Sequence, residues 1–282
     1  MTVSDAMIVA DGVSMHVRTE GPAAAKAVVL IHGFGGSLHW FDRLAPMLAT
    51  TFRVVRADLR GHGRTGGDTG LEPESQARTI AAVLDSLEIA DAAAFGHSFG
   101  ADIALALARR SDRVREAGII GQAPDYSYAN FPPGAVIMTV PILGPLLHRL
   151  TPPIAIRLGL RAAFARGYRF DDAFDRRDQP VRDYRAMHPA VYRETVTARR
   201  TRLAADPLDA QLRALPKPAM VLHGDSDQMY DPAKTIARYA ATDARVEVVA
   251  GAGHSPNVER PAEVARLIRE FLTPPTTSEQ PS

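Results

Sequence analysis

Polar and apolar positions along the chain follow two alternating periods. Unbroken apolar runs occur at Ala27–Ile31, Ala92–Phe95, Ala117–Ile120 and Met220–Leu222, Val246–Val249 is interrupted only by Glu247, and Val54-Val55 lies within a further segment from about Arg53 to Leu59. Short runs of this kind, without polar alternation, predict strands covered on both faces. Between them, apolar residues recur at helical spacing. Ile80, Val83, Leu84 and Leu87 share one face of Ser75–Leu87, and Ile103, Ala106 and Leu107 share one face of Phe99–Arg109. Pro261–Leu272 opens with proline at a first-turn position and carries Val264, Leu267, Ile268 and Phe271. Ahead of these, Met7–Val9 and Val13–Arg18 flank Asp11-Gly12, which predicts a leading hairpin. Alternation of this kind predicts an α/β fold, a mostly parallel central sheet with helices on both faces.

One stretch breaks the rhythm. Residues 124–207 hold no clear strand and carry 13 Arg, no Lys and 8 Asp or Glu, a net of +5. The first part, Tyr126–His148, has no formally charged residue and is interrupted by Pro132, Pro133, Pro141 and Pro145. A membrane-spanning helix needs about 20 apolar residues in a continuous run, so no transmembrane segment is expected here. The expected organisation is an α/β core built from residues 1–123 and 208–272, with a helical cap inserted at 124–207. The end, 273–282, is rich in Pro, Thr and Ser and is expected to be disordered.

Composition narrows the function. A net charge of +1 over 282 residues gives no field for nucleic acid, so no nucleic-acid partner is expected. The absence of cysteine removes disulfides, a thiol nucleophile and thiolate metal ligation. Met1–Met15 contains Asp5 and Asp11 and lacks a basic start followed by an apolar run, so a cytoplasmic location is expected.

The strongest chemical signal is Gly96-His97-Ser98-Phe99-Gly100, which has the pattern G-x-S-x-G between an apolar strand and a helix. Such a turn holds the serine in a strained backbone conformation, and its neighbours must lack a Cβ. The helix that follows aims its positive end at a developing oxyanion. His32-Gly33-Phe34-Gly35-Gly36 ends another strand, and the backbone N–H groups of Phe34 and Phe99 are the candidate oxyanion donors. His32, His62 and His223 read as structural. His254, in Gly251-Ala252-Gly253-His254 after the last strand, has the best position for a general base. Asp225, Asp227 and Asp125 each follow a strand and are candidates for the carboxylate that orients it. His97, His39 and Trp40 are candidates to border a substrate site.

Four separated motifs stand in one order: His32–Gly36, Asp58-Leu59-Arg60-Gly61-His62-Gly63, Gly96–Gly100 and Gly251–His254. Jointly, over about residues 10–272, they resemble the α/β-hydrolase superfamily, and within it the cap-bearing serine hydrolases. The resemblance implies a Ser-Asp-His triad whose acid ends a Gly-x-x-Asp pattern. Here that pattern is Gly224-Asp225-Ser226-Asp227, so the implied triad is Ser98, Asp227 and His254, with no metal and no cofactor. Haloalkane dehalogenases and epoxide hydrolases of this fold use aspartate where Ser98 stands. Meta-cleavage carbon–carbon hydrolases usually have asparagine in place of His97, and perhydrolase-type members often carry proline in the loop Phe34-Gly35-Gly36. The implied activity is hydrolysis of a carboxylic ester, lactone or thioester.

The expected partner is a small, partly apolar molecule, with Met138 and Ile142 among the candidate pocket residues of the uncharged stretch. Two other classes share the motifs: a small-molecule receptor, and a non-hydrolytic biosynthetic catalyst such as a cyclase.

Overall fold

The computed structural model describes residues 3–131 and 135–273. Apart from Thr273, the segment expected to be disordered lies outside them, as do Pro132 and Pro133.

Eight strands form one sheet: β1 (Val3–Ala10), β2 (Val13–Glu20), β3 (Ala27–Ile31), β4 (Arg53–Ala57), β5 (Ala92–His97), β6 (Val114–Ile120), β7 (Ala219–Gly224) and β8 (Arg245–Val249). Their order is β1-β2-β4-β3-β5-β6-β7-β8, and only β2 runs against the others. The β1–β2 turn is Asp11-Gly12, with φ of 50° and 71°. Positive φ at both central positions matches the twist of the strands they join.

Helices fill the connections. In chain order they are α1 (Ala45–Leu48), α2 (Pro73–Ser86), α3 (Phe99–Arg110), α4 (Leu143–Leu150), α5 (Pro153–Leu160), α6 (Gln179–Ala186), α7 (Ala190–Tyr192), α8 (Arg199–Ala205), α9 (Leu208–Ala214), α10 (Pro232–Ala240), α11 (Pro256–Glu259) and α12 (Pro261–Leu272). β3 shows why its run is unbroken, since all five of its residues are buried. Val29 and Ile31 join the core with Ile80, Val83, Ile103 and Leu107 of α2 and α3. Val28 and Leu30 join the opposite core with Val264, Leu267 and Ile268 of α12. The sheet therefore separates two apolar layers, as a doubly covered parallel sheet requires.

Two topological features position the site. From β3 the chain moves to β4 on one side, while β5 lies on the other. The loops after β3 and β5 meet at that switch, where open α/β sheets place ligands. Between β6 and α9, the described residues contain no strand, only α4–α8 and shorter helical turns. The Leu208 N–H donates to the Pro124 carbonyl at 3.0 Å and closes the neck of this insertion. Among the described residues, no helix is long and apolar enough to cross a membrane.

Candidate active site

Ser98 sits between β5 and α3 with φ 54° and ψ −118°, a conformation rare for a residue with a side chain. Its neighbours explain how this is held. A Cβ on Gly96 would lie 1.9 Å from the Gly100 carbonyl oxygen, and one on Gly100 would lie 2.2 Å from the Ile31 carbonyl oxygen. Glycine is therefore obligatory at both places, and the elbow packs directly on the end of β3. Ser98 occupies the N-cap of α3, yet its hydroxyl makes no cap bond. That hydroxyl lies 3.0 Å from His254 Nε2 instead.

His254 Nδ1 faces Asp227 Oδ2 at 3.1 Å. Asp227 thereby selects the tautomer with the proton on Nδ1, which leaves Nε2 free to accept the Ser98 proton. The Asp227 side chain has no exposed surface. Burial pushes its carboxyl up, but attraction and hydrogen bonding from His254, helped by His223 and the Met229 N–H, hold it below its ordinary value. Oδ1 is occupied by the N–H groups of Met229 and Tyr230, at 2.7 and 3.3 Å. His223 stands 3.5 Å from Oδ2, but its own burial keeps it at about 4 and so neutral near pH 7. The other two candidate carboxylates are occupied elsewhere. Asp225 accepts the Gly251 N–H at 2.8 Å and so shapes the loop that carries His254. Asp125 is 2.6 Å from Arg238 Nη1.

Among the described residues, neither the Phe34 N–H nor the Phe99 N–H has an acceptor. The loop of Phe34 approaches the nucleophile closely, since a Cβ on Gly33 would lie 2.9 Å from Ser98 Cβ. Two buried histidines pin it. His32 donates from Nδ1 to the Gly33 carbonyl at 2.8 Å and accepts the Leu59 N–H at Nε2, 3.0 Å away. His62 Nε2 accepts the Gly35 N–H at 3.3 Å. Burial, then the neighbouring His32, lowers His62 to about 3, so it remains a neutral acceptor.

Four residues suggested by the sequence as pocket lining have partners of their own or face solvent. His97 is 3% exposed, stacks on Trp40 at 5.7 Å, and places Nε2 3.1 Å from the His254 carbonyl oxygen. It braces the backbone of His254. Trp40 is 5% exposed and donates from Nε1 to Asp183 Oδ2 at 3.2 Å. Met138 packs into a cluster with Leu71, Met187, Val191 and Tyr192. Ile142 is 86% exposed and points to solvent. His39, the weaker suggestion, pairs with Asp42 at 2.8 Å.

Other groups near the triad were not singled out by sequence. The Tyr230 ring lies 5.7 Å from that of His254 and stacks edge-on against Phe131 at 5.4 Å. Its position three residues after Asp227, on one loop, was the available signal. The Tyr192 ring meets Phe34 edge-on at 5.1 Å. Arg199 of α8 reaches under the elbow, with Nη2 2.6 Å and Nε 3.0 Å from the Asp102 carboxylate. Nearby Asp102 and Tyr126 raise Arg199 well above its ordinary value despite its burial. Glu259 accepts the N–H of Gly253, beside the base, and the N–H of Ala165, in the insertion, each at 2.8 Å. Burial raises the Glu259 carboxyl above its ordinary value.

Comparisons with known proteins agree with this architecture. A profile of the alpha/beta hydrolase family matches residues 28–267. The chain is 31% identical over 279 residues to a 2-hydroxymuconate semialdehyde hydrolase of Pseudomonas sp. (strain CF600), covering 94% of this chain and 92% of that one. It is 40% identical over 99 residues to a pimeloyl-[acyl-carrier protein] methyl ester esterase of Neisseria meningitidis, which covers 35% of this chain and 37% of the other. Among solved structures, the enol-lactonase of Burkholderia xenovorans LB400 superposes with a TM-score of 0.77 at 23% identity, over 94% of this chain and 98% of that one, and so shares the fold. The protein is an enzyme of the alpha/beta hydrolase family.

Proposed function

We propose that the protein is a serine hydrolase that cleaves a carboxylic ester, lactone or thioester through an acyl-enzyme. The observation that carries this reading is the alignment of Ser98 Oγ, His254 and Asp227 at 3.0 and 3.1 Å, with the serine presented on a strained elbow. In the first half-reaction, Ser98 Oγ attacks the carbonyl carbon while its proton passes to His254 Nε2. The carbonyl oxygen becomes an oxyanion, and the free N–H groups of Phe34 and Phe99 are placed to receive it. Collapse breaks the bond to the leaving alcohol, thiol or ring oxygen, which takes the proton from His254. In the second half-reaction, His254 takes a proton from water, hydroxide adds to the acyl carbon, and Ser98 leaves with its proton restored. Asp227 stabilises the histidine cation in both halves. Each step uses groups of this chain and calls on no cofactor.

Residues 124–207 act, in this reading, as a cap that selects a small, partly apolar substrate. Tyr230 and Tyr192, whose rings flank His254 and Phe34, and Phe131, which packs on Tyr230, join the side chains that border it. The ester assignment draws on the name of the methyl ester esterase relative. The semialdehyde named for the longer relative belongs in the same substrate panel.

The test is a fluorophosphonate probe followed by peptide mass spectrometry, run beside a panel of acyl esters, lactones, thioesters and 2-hydroxymuconate semialdehyde. Labelling at Ser98 and turnover abolished in Ser98→Ala support the reading. Labelling elsewhere, or steady-state rates equal to those of Ser98→Ala across the panel, would sink it.

A further inference from the structure

The amphipathic pattern of the insertion is inverted on one face. In α4, Leu143, Leu146 and Leu150 recur at helical spacing and are 40%, 51% and 66% exposed, while Gly144 and His148 of the same helix are buried. In α5, Ile154 and Leu158 are 63% and 52% exposed, one turn apart. Between the preceding helical turn and α4 stands Ile142, 86% exposed and held at φ 69°. A β-branched residue in that conformation is a genuine outlier, held here with its side chain in water. Aliphatic side chains scattered singly over a surface need no explanation, but a row of them on consecutive helices marks an interaction face.

Charge identifies what the face meets. From Tyr126 to Phe170 the chain has five arginines and no Asp, Glu or Lys. Arg157 and Arg169 are paired with Asp171 and Asp172. Arg149, Arg161 and Arg166 are exposed and have no carboxylate within 4.0 Å among the described residues. Arg149 adjoins Leu150, and Arg161 directly follows α5. An apolar stripe flanked by unpaired arginines fits a surface with acyl chains below and anionic headgroups above. A second copy fits poorly, because it would bring the same unpaired arginines against these.

We propose that the face formed by Ile142, α4 and α5 docks on an anionic phospholipid surface. Leucine and isoleucine side chains insert at the headgroup boundary, and Arg149, Arg161 and Arg166 lie against lipid phosphates. The face adjoins the active site. Met138, in the helical turn just before Ile142, packs in one cluster with Tyr192, whose ring meets Phe34 of the candidate oxyanion loop. Docking therefore holds the entrance side of the site against the lipid.

The test is co-sedimentation of the full chain with vesicles of phosphatidylcholine alone and with about a third phosphatidylglycerol added. Binding to the anionic vesicles is expected to be about tenfold tighter or more, and to weaken as salt rises. Leu150→Gln with Ile154→Gln, and separately Arg149→Glu with Arg161→Glu, are each expected to lower it about tenfold or more. All four residues are exposed or outside the apolar cores, so the thermal midpoint and the turnover of a short water-soluble ester stay unchanged. Equal binding to both vesicles, or binding to neither, overturns the proposal. So does sedimentation velocity showing a dimer that the Leu150→Gln, Ile154→Gln variant dissolves, which would assign the face to a second copy.

Discussion

Arg199 and Asp102 form a two-point ion pair beneath Ser98, with Nη2–Oδ2 at 2.6 Å and Nε–Oδ1 at 3.0 Å, and their side chains are 4% and 6% exposed. Asp102 belongs to the first turn of α3, and Arg199 begins α8 of the insertion. The pair thus ties the insertion to the helix that starts at the serine. Removing one partner leaves a buried charge without compensation, which costs about 3–5 kcal/mol. Arg199→Met is expected to lower the free energy of unfolding measured in urea by that amount, and Arg199→Met with Asp102→Leu to recover much of it. A single variant as stable as wild type would show that the pair does not hold the insertion in place.

The three aspartates suggested by the sequence are expected to separate in activity. Asp227→Asn keeps the shape but removes the charge facing His254 Nδ1, and kcat falls by about ten-thousandfold, the scale set by serine proteases. Asp225→Asn disturbs the Gly251 turn and the Ser226 hydroxyl, and Asp125→Asn the Arg238 pair and the Ser127 N–H, and neither touches His254. Both are expected to keep kcat within about tenfold of wild type. Steady-state kinetics on one activated ester checks all three, and an Asp225→Asn loss equal to that of Asp227→Asn contradicts the assignment.

Asp183 gives a pH dependence of known sign. It is 2% exposed and accepts from Trp40 Nε1 and Gln179 Nε2 at 3.2 and 2.7 Å. Burial pushes its carboxyl up to about 7 from an ordinary 3.8. A raised folded value means that the contribution is fully present below about pH 4. It is lost as pH rises towards 7, and the difference is level beyond that. The shift corresponds to about 4 kcal/mol at most. Asp183→Asn keeps an acceptor for Trp40 without the charge, so it is expected to be more stable than wild type at pH 8 and nearly equal at pH 4. Chemical denaturation at the two values measures this, and a pH-independent difference refutes it.

His16 works in the opposite sense. Burial lowers it, but hydrogen bonds to Asp58 and Asp5, each at 2.8 Å, outweigh that and raise it above its ordinary 6.5. Its contribution is therefore fully present below pH 6.5 and lost as pH rises through the raised value. Asp5, held at about 2, contributes above 3.8 and loses this as pH falls to about 2. His16→Gln is expected to destabilise more at pH 6 than at pH 9, read as the difference in urea midpoint between the two.

Local periodicity made the central elements legible. The sequence reading of β3 and α12 matches their limits, because both are framed by clear signals: full burial in β3 and an opening proline in α12. The reading of β6 began at Ala117, whereas the strand begins at Val114. Arg115 and Glu116 are polar at that end, where only one of them meets the core edge, so apolar content fails as a guide. α10 was missed for a related reason, since only Thr235 and Tyr239 are buried along it. The grouping of Ser98, Asp227 and His254 was legible because each follows a strand end. The pairs that join insertion to core were not, since Arg199 and Asp102 stand 97 residues apart and Trp40 and Asp183 stand 143 apart. No spacing rule links such positions. The same lack hid the internal partners of His97 and Trp40.

The Glu259 carboxylate grips the loop of the base and the insertion with its two oxygens. For engineering, this divides the insertion into exchangeable and fixed parts. The stretch from 142 to 160 is mostly exposed and can be swapped for foreign helices without disturbing that clamp. Ala165 cannot be shifted in the same way, because its backbone N–H and that of Gly253 share one clamp, and a graft that moves it also moves the loop that carries His254.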